Sequence, residues 1–252
     1  MNVFVVITLA IAPGLFWLWF FYKKDKLEPE PRHLIAKTFF WGVFLAIPVL
    51  IVQIPFLIIS SSMVFLAVIV APITEEFGKY LVVRWGVYKN IEFDEPVDGI
   101  IYAAAAALGF ASIENVFYLL GSYYAPQEIS EGTSASYAVL TLFVIRGLLS
   151  VPGHALWSSL WGYALGVAKF SPPERANTLI RNGLLLSMFS HGFFNGLLVI
   201  FPPLALGVLV LIPLGWRMTF RRIADALAAS PHALKSLSDA EQFPKGGDRQ
   251  DI

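Results

Sequence analysis

Seven apolar runs divide most of this chain, at roughly residues 2–22, 34–60, 63–83, 98–121, 137–168, 179–200 and 203–221. Each is near the ~20 residues that cross the roughly 30 Å hydrocarbon core of a bilayer. Backbone groups in lipid have no water to bond, so such a run closes its own hydrogen bonds as a helix. The pattern predicts an all-α, polytopic transmembrane bundle of about seven spans. Composition agrees: 57% of residues are hydrophobic and 14% charged, against about 25% charged in soluble domains. The fifth run would make ~48 Å of upright helix, which predicts one tilted or kinked span near Pro152–Gly153 rather than two short ones.

Charge placement predicts the orientation. Of the 18 Lys and Arg, all but Lys79 and Arg146 fall in segments that share one side when the amino end is outside. The opposite connections, 60–62, 121–136 and 201–203, carry none, as the positive-inside rule requires. Lysines follow the first run instead of preceding it, and no small-residue cleavage site ends it, so it is expected to be a retained span. Residues 1–222 are expected to form the membrane domain and 223–252 a cytoplasmic, largely disordered tail. The basic residues look like topology signals, and no nucleic-acid motif accompanies them. Cysteine is absent, which excludes disulfides, thiolate metal sites and cysteine nucleophiles.

Several ionisable residues contradict their apolar surroundings. Glu75 and Glu76 lie inside MVFLAVIVAPITEEFGKYLVV, where an acidic residue at a helix centre costs about 2.5–3.5 kcal/mol even on lenient insertion scales. Lys79 stands at i+4 and i+3 and can reach back to either. Pro72 just upstream can loosen the helix beside a cavity. Glu114 and Asn115 follow on the fourth span, His154 on the fifth, and His191 with Asn195 on one face of the sixth. Gly162–Gly166 and Gly192–Gly196 let neighbouring helices approach closely. Together these predict that four consecutive spans bring acids and imidazoles into one wet pocket. Arg146 is expected to snorkel at the outer interface, and Asn115 to act as interhelical glue. Lys79 serves equally well as a neutralising partner for insertion or as part of the chemistry.

A glutamate with histidines around trapped water can activate that water for attack on an amide, with His and Asn donors steadying the oxyanion. Spanning serines lack a Gly-rich nucleophile elbow, and HExxH is missing. Ligand type and count allow zinc on Glu76, His154 and His191; the choice between metal-bound and purely glutamate-driven water stays open.

The series Glu75-Glu76-x-x-Lys79, Glu114-Asn115, His154 and Ser190-His191-x-x-x-Asn195 resembles the PrsW family of bacterial intramembrane proteases. These are related to the CAAX-processing and bacteriocin-processing membrane proteases. The resemblance covers about residues 23–222. It implies that Glu75 and Glu76 activate water, and that His191 and Asn195 are partner and oxyanion donors. One departure is Phe110-x-x-x-Glu114, where the wider superfamily has histidine; His154 would supply that imidazole. The resemblance further implies a plasma-membrane enzyme cutting a single-span membrane protein, an anti-sigma factor in the best-known members. A proton- or cation-coupled transporter using the same cluster, and a catalytically silent scaffold, are the alternatives from other classes.

Overall fold

A computed structural model describes residues 1–124, 135–200 and 202–233, and within them every regular element is helical. The rods are α1 (Val3–Tyr22), α2 (Arg32–Ile59), α3 (Met63–Phe65) running through a π-helical turn Leu66–Val70 into α4 (Ala71–Gly86), and α5 (Asp98–Tyr124). Then come α6 (Ala135–Ile145), continued by a second π-helical turn Arg146–Ser150 into α7 (Val151–Lys169), α8 (Pro173–Val199) and α9 (Val208–Ala228). Part of the expected 121–136 connection and the tail from 234 onward lie outside the described residues.

Five stretches are long and apolar enough to cross a membrane: α1, α2, α5, the continuous Ala135–Lys169 rod, and Pro203–Ala228. The rods holding the other two apolar runs are polar for a reason. Residues 63–86 carry Glu75, Glu76 and Lys79, and α8 carries His191 and Asn195. α9 continues to Ala228, past the expected domain boundary at 222, and its end packs down: Ile223, Ala226 and Ser230 are buried.

α5 is the axis of the bundle. Its run of five alanines, Ala103–Ala107, is fully buried, and small side chains let α1, α2 and α7 close on it from several directions. Gly162 and Gly166 meet the backbone of Gly99 and Pro96, so a side chain there would collide with α5. Gly192 sits equally close to the carbonyl of Val68, while Gly196 is in ordinary contact. α2 instead presents Phe40, Trp41, Phe44, Ile47 and Ile51 outward, an apolar face matched to lipid.

Both π-helical turns end just before a proline, Pro72 and Pro152, and the hydrogen-bond accounting explains them. Ala71 N–H bonds Leu66 O, and Val151 N–H bonds Arg146 O, five residues back. The next carbonyls, Ala67 and Gly147, would need a donor from proline nitrogen, which has none. A side chain from another rod supplies it in each case: Asn195 Nδ2 donates to Ala67 O at 2.8 Å, and Trp17 Nε1 to Gly147 O at 2.9 Å. Such bulges are concentrated at functional sites, and these two immediately precede Glu75–Glu76 and His154. The expected kink near Pro152–Gly153 is thus a widened turn one residue upstream in an unbroken rod.

Replacing Trp17 by Phe keeps the ring among Phe16, Phe20 and Trp216 and strands the Gly147 carbonyl. Thermal unfolding of W17F in mild detergent should show a loss of about 1–3 kcal/mol; an unchanged midpoint would mean the capping bond carries no weight.

Candidate functional site

The polar residues of α4, α5, α7 and α8 meet in one buried cluster. Three helical stripes feed it: Glu75, Glu76 and Lys79; His154, Ser158 and Trp161; and Ser187, His191 and Asn195. Lys79 stands three and four residues from the two glutamates, and the members of the other two stripes recur at three or four residues, so each set lies along one side of its helix.

Glu76 is fully buried and saturated with donors. Its Oε1 accepts from Lys79 Nζ at 2.8 Å and His191 Nδ1 at 3.0 Å. Its Oε2 accepts from Ser158 Oγ at 2.6 Å and Trp161 Nε1 at 3.1 Å, and Ser187 Oγ, also 2.8 Å from Trp157 O, stands 3.0 Å away. A carboxylate that only accepts is what such a ring of donors requires.

Lys79 distributes its three N–H groups over three acceptors: Glu76, Glu75 Oε2 at 3.4 Å and His154 Nδ1 at 3.0 Å. An ammonium has no acceptor to offer, so His154 Nδ1 must present a lone pair and its proton must sit on Nε2. That Nε2 donates to Glu114 Oε2 at 3.0 Å. The same accounting puts the His191 proton on Nδ1, facing Glu76, and leaves its Nε2 with a lone pair. Each imidazole is thus oriented by a carboxylate on one side; the far nitrogen of His191 is open, and that of His154 accepts from Lys79.

Glu75 lies beside both far nitrogens. Its Oε2 lies 3.8 Å from His154 Nδ1 and 4.0 Å from His191 Nε2. With Glu114 it lines a cavity of about 230 Å³ between α2, α4 and α5, otherwise walled by Ala46, Val49, Leu50, Gln53, Phe110, Phe117 and Tyr118. A single water needs only about 10–15 Å³ on this measure.

Glu75, His154 and His191 can each offer one donor atom, all within 4.8 Å of one another. One carboxylate and two imidazoles are a known catalytic zinc set. The orienting partners Glu76 and Glu114 are the supporting carboxylates that metal-binding histidines use, so the residues fit a zinc ion that takes the place of the Lys79 hydrogen bonds to His154 Nδ1 and Glu75 Oε2. The sequence expectation put Glu76 in that set. The atoms that converge belong to Glu75, because both Glu76 oxygens are already engaged by neighbouring donors.

Two further sequence expectations change. Arg146 does not snorkel outward. It is buried, donates from Nη2 to Glu114 Oε2 and from Nε to Asn115 Oδ1, both at 2.8 Å, and lies 3.8 Å over the Tyr118 ring. The half-buried Glu114 supplies the reason, since it needs a counter-charge at its own depth. Asn195 shares the His191 face, but its amide caps Ala67, which fixes the turn leading into α4. Asn115 ties α5 to α1 through Ala10 O at 2.8 Å, as interhelical glue. Ser158, Trp161 and Ser187 were not singled out as site residues; their helical spacing from His154 and His191 was the available signal.

Buried carboxylates, oriented imidazoles and a cavity roomy enough for water within apolar rods are the parts of a hydrolase working inside a membrane. A model of the PrsW family, described as intramembrane metalloproteases, matches residues 30–218. Among similar proteins, Protease PrsW of Geobacillus kaustophilus (strain HTA426) is 37% identical over 198 residues, 78% of this chain and 80% of that protein. Protease PrsW of Bacillus subtilis (strain 168) is 31% identical over 199 residues, 77% and 83% respectively. That of Oceanobacillus iheyensis is 32% identical over 226 residues, 88% and 95%. No solved structure matches the chain. The chain belongs to the PrsW family: it is a membrane-embedded protease.

Removing one side of the Arg146–Glu114 pair should be costly. R146M leaves a half-buried carboxylate without its partner, a loss below the roughly 3–5 kcal/mol of a fully buried pair because Glu114 keeps access to the cavity. Adding E114Q should restore part of that stability in a double-mutant cycle; purely additive losses would show the pair to be uncoupled.

Proposed function

We propose that the enzyme hydrolyses a peptide bond of a single-span membrane protein at the face formed by Glu75, His154 and His191. The observation that carries this is the convergence of a cavity-facing carboxylate on one nitrogen of each imidazole, at 3.8 and 4.0 Å. Those separations are too long for direct hydrogen bonds and suit a ligand or water held between them.

Each neighbour has a task in this reading. Glu76 and Glu114 hold the imidazoles in the tautomers that turn lone pairs inward. Where no metal is bound, Glu75 takes the proton of the attacking water. Lys79 balances the acids and keeps His154 Nδ1 unprotonated. Glu75, His154 and His191 would hold the zinc that a metalloprotease family implies, and when bound it supplies Lewis acidity toward water and the scissile carbonyl. The surrounding rods exclude bulk water, which strengthens every charge interaction at the site.

The finer topology belongs to the same proposal: seven crossings, amino end outside, and the 23–31, 87–97 and 170–172 connections in the cytoplasm. Side-chain contacts bring the first two connections together with Lys169 and the end of α9, which agrees with one shared side. The plasma membrane is the expected location. The substrate class implied by the family resemblance is a single-span anti-sigma factor.

The test is cleavage of such a substrate by purified protein in proteoliposomes. E75Q should lower the rate at least about 100-fold, on the scale of losing a general base, with folding and insertion intact. E76Q should lower both activity and thermal stability, because five donors lose a charged acceptor. Elemental analysis should find about one zinc per wild-type chain and much less in H154A or H191A. Normal cleavage by E75Q would overturn the assignment of Glu75.

A further inference from the structure

A second acidic cluster lies at the end of the bundle where the 23–31 and 87–97 connections meet, outside the site above. Asp25 and Glu30 come from the first connection, Glu95 from the second, and Asp98 opens α5. All four are at least nine-tenths buried, with exposures of 4%, 2%, 0% and 1%.

Three of them spend one oxygen on fold-defining bonds. Asp25 Oδ2 accepts from Glu30 N at 3.1 Å, Asp98 Oδ2 from Glu95 N at 2.8 Å, and Glu30 Oε2 from the Tyr102 hydroxyl. The opposite oxygens, Asp25 Oδ1, Glu30 Oε1 and Asp98 Oδ1, have no partner, and neither does either oxygen of Glu95. Ser230 Oγ approaches Glu95 without closing a hydrogen bond of normal geometry. Asp25, Glu95 and Asp98 each offer an oxygen within 4.8 Å of the others.

Neighbouring cations do not neutralise this group. Among the described residues, no Lys or Arg forms an ion pair with any of the four. Lys169 feels the charge of Asp98 and Glu30 but points its Nζ at backbone carbonyls: Tyr88 at 3.0 Å, Asn90 at 3.4 Å, and Phe93. His232 pairs with Glu28 at 2.6 Å and Asp94 at 3.3 Å on the rim. Burial pushes the Asp25 carboxyl up to about 7 and that of Glu30 up to about 8, so the cluster gains from a bound proton or a bound cation, and the unpartnered oxygens face one another at cation-binding separations.

The geometry points to a hard divalent-cation site held by Asp25, Glu95 and Asp98, with Glu30 beside it. Oxygen-only donors select calcium or magnesium over zinc. Oxygens on one calcium ion, each about 2.3–2.6 Å from it, can stand up to roughly 5 Å apart, a span that covers the observed spacing. Three points of the fold would be fastened together: the α1–α2 connection, the α4–α5 connection that leaves the Glu75–Glu76 helix, and the start of the central rod. This site is independent of Glu75, His154 and His191.

Thermal unfolding of the full chain in nanodiscs, after chelation, tests the assignment with calcium and magnesium titrated separately. The expected result is one saturable rise in midpoint of about 5 °C or more with at least one ion. The rise should persist in H191A and be lost in D25N/E95Q. A second readout uses unmodified protein and needs no variant to fold. Ferrous iron bound in place of the native ion, with ascorbate and peroxide, should cut the backbone near residues 23–31 and 92–99, and the competing ion should suppress those cuts. The proposal is overturned if neither ion shifts the midpoint, if stabilisation comes from acid alone, or if the rise survives undiminished in D25N/E95Q. Cuts confined to the neighbourhood of His154 and His191 would overturn it equally.

Discussion

The Lys79 ammonium holds the interior of this protein together. Two adjacent carboxylates on one turn of helix, sealed from water, repel one another and pull away from their solvation. One cation placed 2.8 and 3.4 Å from them offsets both costs. The same nitrogen reaches 3.0 Å from His154, and that contact dictates where the His154 proton goes. The His154 tautomer, the division of labour between Glu75 and Glu76, and the direction of that ring's lone pair all follow from a donor with three hydrogens and no acceptor.

Around that centre, polar groups are satisfied in concentric fashion. Glu76 is enclosed by side chains from α4, α7 and α8. Glu114 is enclosed by Arg146 and His154. Glu75 is left facing a cavity. A buried charge with a full set of partners is structural, and one left open to a cavity is available for chemistry. That contrast separates the twin glutamates, which sequence spacing alone treats as equivalent.

Much of this was legible from sequence. Apolar runs of span length marked the rods, because lipid leaves the backbone no alternative to a helix. The out-of-place Glu75, Glu76, Glu114, His154 and His191 marked the cluster. What stayed hidden depends on which atom meets which. Arg146 read as a surface residue because nothing in its neighbourhood in the chain shows that Glu114, 32 positions earlier, lies at its depth. The Glu76 hydroxyl and indole donors come from ordinary-looking serines and a tryptophan. The acids of the two connections resembled solvated loop residues, since short polar segments between spans give no sign that they fold over one another.

The paired π-helical turns carry a consequence for how the rods tolerate change. Each residue added to or taken from a helix rotates everything beyond it by ~100°. A widened turn therefore sets the azimuth of the whole segment that follows, independently of the lipid-facing stretch before it. The exposed positions of these stretches, such as Met63, Val64, Ile69, Leu140, Val144 and Leu148, should accept many apolar replacements, since lipid discriminates little among them. Losing a single position there would swing the acid or imidazole face away from its partners and into the bilayer. In these rods chain length is under tighter constraint than side-chain identity.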